Sequence, residues 1–402
     1  GSRSSRGMTK TAAPGRGRAF ARMTPHPGQV TLEPSTAAPH FGHEAISRAE
    51  YRASDTRPRE GAPVSIRARM RSCTASAPAR VDIAGGTLDI WPLYLWHEGA
   101  RTLNAAVTLR ATTRVSALDG ALEIASVDTG ASARAARVEE IEDHAHTRLV
   151  VQILRALGVS TGLRIETTSR VPAGSGLGGS STLAVTIAAA VAHATGRELS
   201  ARELRNLVRD AEARVILVPT GIQDYEAAIH GGVLDIALDP GELVTTRLSG
   251  QEAFLDDRIL LVDAGVTRFS GLNNWEMFKA QVDGQPEVRR RFAEIVAAAR
   301  DGRKALLDAD EEALIAAVRR EWAARRDLAP GIATPEVDDI IATATAAKGA
   351  GKVCGAGGGG IVLVVAGRQE RPALADSLRA RGYRVLPASI DRRGLDVVTE
   401  TV

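Results

Sequence analysis

The sequence predicts an α+β fold in preference to a wound parallel sheet, on three observations. Alternating runs at 102–118 and 121–128, joined by Asp119-Gly120, read as an antiparallel hairpin. LRIETTSRV (163–171) alternates strictly, with Leu163, Ile165, Thr167, Ser169 and Val171 on one face, as a strand with one wetted side does. Strands and helices then follow in mixed order, with long helical patterns at 286–306 and 310–327.

In chain order, residues 1–70 are rich in Arg, Ala, Pro, Ser and Gly and show no sustained period. They are expected to be a disordered basic tail or a vector-derived leader, with Met70 a candidate natural start. ARVDIAGG (79–86) reads as a strand and a turn. Residues 144–157 have helical spacing. Helix is expected from Ser181 to about His193 and from Ser200 to Val215, and strands and turns at 232–265. VTRFSGLNNWEMFK (266–279) reads as a polar-aromatic loop and a candidate acceptor-facing lid. Pro330 ends the second long helix, and Thr334-Pro335 is an N-cap and first-turn pair for the next. KVCGAGGGGIVLVVAG (352–367) is a glycine turn into a strand; a helix at 371–381 and a strand at 383–390 close the pattern.

Composition narrows the function classes. The 402 residues leave room for two or three domains. With 44% apolar but only 3% aromatic residues, the core must be built from Ala, Val, Leu and Ile. Two cysteines, Cys73 and Cys354, exclude a disulfide framework or a cysteine zinc site and fit a reducing, cytoplasmic compartment. No apolar run reaches membrane-spanning length. Residues 1–70 carry 12 Lys and Arg against 5 Asp and Glu, so the rest of the chain is acidic by about four charges. Without interleaved aromatics or a fold, that basic segment does not predict a nucleic-acid partner.

The chemistry centres on VPAGSGLGGSST (171–182). Gly174, Gly176 and Gly179 fit G-x-G-x-x-G, with Glu198 further on, but the preceding strand alternates where a dinucleotide-binding strand would be continuously apolar. A Walker A loop is excluded because no Gly-Lys-Ser/Thr follows. What remains is a phosphate site. Glycines expose backbone N–H groups, and the following helix directs its free N–H groups and positive dipole end at the loop.

PAGSGLGGSST (172–182) resembles the second motif of the GHMP kinases, the family of galactokinase, homoserine, mevalonate and phosphomevalonate kinases. APARVDIAGGTLDI (77–90) is similar to the family's first motif and KVCGAGGGGIVLVV (352–365) to its third, in the family's order. The resemblance covers about residues 75–400. It implies two α+β domains, ribosomal-protein-S5-like and then ferredoxin-like. We place them at 71–250, binding nucleotide, and 251–402. It also implies transfer of the γ-phosphoryl group of ATP with Mg²⁺.

Carried over residue by residue, the ATP phosphates fall to Gly174, Ser175, Gly176, Leu177, Gly178, Gly179, Ser180 and Ser181, with Gly357 and Gly358 closing over them or buttressing the loop. Asp224 is the candidate base, in TGIQDYEAAIHGG (220–232), and Arg80 the candidate cation. Glu212 and Ser180 are the candidate Mg²⁺ ligands. Asp89, Gly86, Thr87, Tyr225 and Arg268 are the candidate acceptor contacts. Arg101 and Lys279 are further cations available to an acceptor phosphate. Cys354 is expected to be a small packed residue.

Arg80, Gly85-Gly86-Thr87 and Asp89 fit the sugar-kinase branch; mevalonate-type members usually have Lys at the first position and Gly-Glu-His near 85–87. ARVDIAGGTLDIWPLY and EGARTLNAAV most resemble heptose-7-phosphate kinases and fucose-kinase-like enzymes. The expected activity is phosphorylation of a hydroxyl on a sugar or sugar phosphate, a heptose 7-phosphate among the candidates. The alternatives are a mevalonate-type isoprenoid kinase and a non-catalytic sugar-sensing member of the fold.

Overall fold

The structure, a computed structural model, describes residues 70–241, 243–266 and 271–401. The expectations for residues 1–69 and for Arg268 lie outside the described residues. Strands β1 (Met70–Ala84) and β2 (Arg101–Ala117) are followed by β3 (Leu122–Ser126), β4 (Ser132–Ala135), helix α1 (Arg148–Ala156) and β5 (Leu163–Ser169). Then come α2 (Gly179–Ala194), α3 (Ala201–Ile216), α4 (Gln223–His230), β6 (Val233–Ala237), β7 (Val244–Arg247), α5 (Glu252–Asp256) and β8 (Ile259–Asp263). The rest runs α6 (Gly271–Val282), α7 (Pro286–Asp308), α8 (Glu311–Arg325), α9 (Pro335–Ala346), β9 (Ala350–Val353), β10 (Ile361–Val365), α10 (Arg371–Ala380), β11 (Arg384–Leu386) and β12 (Asp396–Thr401).

These strands form two sheets, the α+β arrangement expected. The first has the order β12-β1-β2-β5-β3-β4, and β6 and β7 extend it from β2. Strand β2 is long enough to serve two neighbours: residues 111–117 pair with β5 and 101–105 with β6. Only β3 and β5 run parallel among the described strands. The second sheet, β11-β8-β10-β9, is antiparallel throughout.

Strand β1 shows why the site forms where it does. Ala79, Val81 and Ile83 alternate onto one buried face, in a different core cluster from Cys73, Ala75 and Ala77 earlier in the strand. Arg80 and Asp82 therefore share the opposite face. The register with β2 shifts between Pro78 and Ala79, a bulge that bends the strand just before Arg80. Helix α2 is apolar almost all round, as a helix buried on every side must be, and packs on β1 and β2. Ser200 and Glu203 close a capping box at the start of α3, and Thr334 caps α9 through the Val337 amide.

Three expectations are corrected. The runs at 102–118 and 121–128 do not form a hairpin: β5 lies between β2 and β3, antiparallel to the first and parallel to the second, so the Asp119-Gly120 turn joins strands that are not neighbours. Residues 271–282 form helix α6, not a loop: Met277 and Gln281, one turn apart, are buried, and the Phe278 ring packs against Trp96 at 5.9 Å. The strand expected at 383–390 shrinks to β11, and the chain continues into β12, which returns to pair with β1. That strand was missed because its partner is far away in sequence; the Ser72 and Glu400 side chains that bond across the pair are 328 residues apart.

Candidate active site

After β5 the chain turns through 172–178 into α2. Gly178 occupies the N-cap position at φ +74, so the amides of Gly179, Ser180 and Ser181 enter the helix without intrahelical partners. Such a helix N-terminus presents unpaired N–H groups and the positive end of the helix dipole. The second glycine turn supports this one from behind. Ile361 donates its amide to the Ser175 carbonyl at 2.8 Å. Gly355 lies so close that a Cβ there would stand 2.7 Å from the Gly176 Cα. Of the two roles open to the 354–360 turn, the geometry is that of a buttress. Gly357 packs on Ile332, and the Gly358 amide donates to the Ile332 carbonyl at 2.9 Å, so it is not offered to an anion.

Arg80 and Asp224 meet at the mouth of this turn. Arg80 Nη2 lies 2.7 Å from Asp224 Oδ1, and its Nη1 donates to the Gly176 carbonyl at 2.5 Å. Burial works against the arginine's charge, but the carboxylates of Asp224, Asp82 and Asp89 outweigh it and hold the guanidinium above its ordinary pKa. Asp224 keeps 22% of its side chain exposed, so an acceptor hydroxyl can reach it. Its helix approaches the glycine turn closely: a Cβ on Gly178 would stand 2.8 Å from Asp224 Cγ.

Glu212, on α3, lies behind this pair. Its Oε2 accepts from Ser181 Oγ at 2.7 Å and from Tyr225 Oη at 2.6 Å. Burial pushes its carboxyl pKa up, against the hydroxyls of Tyr225, Ser181 and Ser180 and with the repulsion of Asp224. The direct partner at 2.7 Å is thus Ser181, with Ser180 also bearing on the carboxylate. A carboxylate and hydroxyl oxygens beside a helix N-terminus are a hard-oxygen donor set that fits Mg²⁺. Tyr225 does not line the cleft. Its side chain is fully buried, and its hydroxyl braces Glu212.

Asp89 is placed differently from an acceptor contact. Its Oδ2 accepts the amides of Ile222 at 2.6 Å and Gln223 at 2.9 Å. Ile222 is the N-cap residue of α4 and has no side-chain oxygen to cap with, so Asp89 caps that helix from another segment. Burial first, and then the charge of Asp224, push its pKa up to about 6 against the pull of the Gln223 and Ile222 amides. Gly86 and Thr87 form the turn between β1 and Asp89; Thr87 is buried at φ +82. Arg101 is committed to Asp235 at 2.8 and 2.9 Å, and Lys279 to Asp283 at 2.5 Å. Cys354 is buried, and burial raises its thiol pKa.

Sequence reasoning missed a buried group of four charges beneath the site: Asp82, Glu321, Arg325 and Lys352. The signal available was weak. Glu321 and Arg325 are four apart on α8 and look like a surface pair, while Lys352 precedes an apolar strand.

Residues 145–232 match the model of the GHMP kinases N terminal domain and residues 303–384 that of the GHMP kinases C terminal. The chain is 26% identical to the D-glycero-alpha-D-manno-heptose 7-phosphate kinase of Campylobacter jejuni, over 81% of this chain and 98% of that one. It is 26% identical to the bifunctional fucokinase/GDP-fucose pyrophosphorylase of Arabidopsis thaliana over 77% of its length, which spans only 31% of the plant protein. A mevalonate kinase of Pyrococcus furiosus matches 59% of the chain at 26% identity, covering 70% of that enzyme. The fold superposes on the crystal structure of a D-glycero-D-manno-heptose 1-phosphate kinase from Bacteroides thetaiotaomicron with a TM-score of 0.66 at 22% identity, covering 82% of this chain and 100% of the other. The two matched domains, in this order and on this two-domain fold, show that the chain belongs to the GHMP kinases, a family that uses ATP as its phosphate donor.

Proposed function

We propose that this kinase phosphorylates a hydroxyl of a sugar or sugar phosphate, with a heptose phosphate the favoured acceptor. The observation that carries the reading is the Arg80–Asp224 pair at 2.7 Å, set against a glycine turn and a free helix N-terminus. Support for the sugar branch comes from Arg80 itself and from coverage. The heptose 7-phosphate kinase aligns along 81% of the chain, the mevalonate kinase along 59%. A reducing cytoplasmic setting belongs to the same reading, supported by the burial of Cys73 and Cys354 as thiols. No helix among the described residues is long and apolar enough to cross a membrane.

In this mechanism the amides of the 174–181 turn hold the ATP phosphates and exclude water from them. Asp224 orients the acceptor hydroxyl and takes its proton. The acceptor oxygen bonds to the γ-phosphorus as the bond to the bridging oxygen breaks, and ADP leaves with that electron pair. Arg80 holds Asp224 in place through their 2.7 Å ion pair and offsets negative charge on the transferring group. Mg²⁺, which Glu212 and Ser180 would hold with Ser181 beside them, supplies charge neutralisation on the phosphates.

The test is ATP consumption against a panel of sugars, sugar phosphates and mevalonate, run with wild type and Asp224→Asn. Turnover with a sugar or sugar phosphate is expected, falling by about two to four orders of magnitude in the variant with little change in ATP affinity. Turnover with mevalonate alone would overturn the acceptor assignment, and full activity in Asp224→Asn would overturn the base.

A further inference from the structure

We propose that Arg325 is a positioning residue: it ties two glycine turns together beneath the phosphate cradle and so fixes where Arg80 and Asp224 stand. This rests on the reading of 174–181 as a phosphate cradle.

Four ionisable side chains are sealed from water between the two sheets: Asp82 on β1, Glu321 and Arg325 on α8, and Lys352 on β9. Lys352 Nζ lies 2.8 Å from both Asp82 Oδ2 and Glu321 Oε1. Arg325 Nη1 lies 3.4 Å from Asp82 Oδ2 and 3.6 Å from Glu321 Oε1. Two acids thus face two bases. For stability alone this is a poor use of a core. Desolvating charges is costly, and well-packed apolar residues often serve as well or better. The satisfaction is also incomplete: Asp82 Oδ1, Glu321 Oε2 and Arg325 Nε have no partner.

The arginine does something its neighbours do not. Its Nη1 donates to the Gly86 carbonyl at 3.2 Å, and its Nη2 donates to the Gly355 carbonyl. Gly86 lies in the turn that follows β1, and Gly355 in the turn that follows β9. Gly355 in turn touches Gly176, whose carbonyl receives Arg80 Nη1, while Arg80 Nη2 holds Asp224. One guanidinium therefore fixes the turn after β1 and the 354–360 turn at once, and the 354–360 turn supports the one at 172–178. The planar fork of arginine reaches two diverging carbonyls and a carboxylate together; a lysine ammonium on its single stem cannot. Lys352 and Glu321 complete the charge balance of the cluster.

The experiment compares two double variants that each delete one acid and one base. Glu321→Leu/Lys352→Met leaves Arg325 with Asp82; Glu321→Leu/Arg325→Met leaves Lys352 with Asp82. Each is brought to the same folded fraction, verified by its unfolding midpoint, and titrated calorimetrically with ATP, acceptor omitted. Loss of the arginine is expected to weaken ATP binding about tenfold or more, the worth of one or two charge-assisted hydrogen bonds. The variant that keeps it is expected to stay within about threefold of wild type. Arg325→Lys, which preserves the charge balance, is expected to bind as weakly as the arginine-free variant. Wild-type affinity without Arg325, or equal loss in both double variants, overturns the proposal. An absence of ATP binding by the wild type sinks the cradle reading itself, and this proposal with it.

Discussion

Arg80 grips Asp224 with one terminal nitrogen and the Gly176 carbonyl with the other, at 2.7 and 2.5 Å. A single buried side chain thus sets the distance between the candidate base and the glycine turn. Arg80→Met removes both grips and the positive charge. We expect kcat to fall about 100- to 1000-fold, as when an aimed electrostatic donor is lost from an active site. Steady-state kinetics check this, and a change confined to the acceptor KM would assign Arg80 to binding alone.

Gly178 allows Asp224 to approach. Ala there would meet two obstacles, a left-handed backbone at φ +74 and the Asp224 side chain at 2.8 Å. Gly120 has a similar φ of +64 and open space around it. Both Gly→Ala variants should lose about 1–2 kcal/mol of stability from the backbone. Gly178→Ala should in addition lose at least about tenfold in kcat, because Asp224 is displaced. Urea denaturation paired with initial rates separates the two costs; equal kcat in both variants would rule out the close approach as a requirement.

Asp89 makes stability depend on pH in a predictable direction. Its folded pKa of about 6 lies above the ordinary 3.8, so the native state binds a proton that the unfolded chain releases. The stability that the neutral form contributes is complete below the unfolded value. It is lost as pH rises through about 6, to the extent of roughly 3 kcal/mol. Asp89→Asn keeps an oxygen for the Ile222 and Gln223 amides but cannot ionise. Measured against wild type, its relative stability should therefore rise between pH 4 and pH 7.5 by about 2–3 kcal/mol. Parallel pH curves would show that Asp89 does not titrate there. A raised acceptor KM in the same variant would restore Asp89 to the acceptor site.

Tyr225→Phe removes one of the hydroxyls that hold Glu212. If Glu212 is a Mg²⁺ ligand, losing this outer support should raise the Mg²⁺ concentration for half-maximal activity about tenfold. The acceptor KM should not move. The reverse pattern would place Tyr225 against the acceptor after all.

What the sequence made legible was local. Period-two alternation marked β2, β3 and β5, and glycine and serine spacing marked the turn into α2. Asp224 and Arg80 were identified through motif order, and the structure brings them together. What stayed hidden depended on partners remote in the chain. Asp89 looked like a ligand for an acceptor because a helix start 133 residues away, which it caps, leaves no trace in its own neighbourhood. Tyr225 follows Asp224 directly, yet helical geometry turns adjacent residues about 100° apart, so one faces the cleft and the other the core. The four buried charges come from three elements whose convergence no local pattern encodes.

The return of β12 to β1 also has a consequence for how the protein is made. The strand that carries Arg80 and Asp82 leaves the ribosome with one edge unpaired, and the residues that cover it are some 328 positions behind. At roughly 5–20 residues per second, that edge waits about a quarter of a minute to a minute for its partner. During that interval β1 is an open template for another chain. Completion of this sheet therefore waits on residues made long after β1 itself. Chaperone demand and yield on expression should respond to changes in residues 396–401, whose partners on β1 lie at Met70–Ser76.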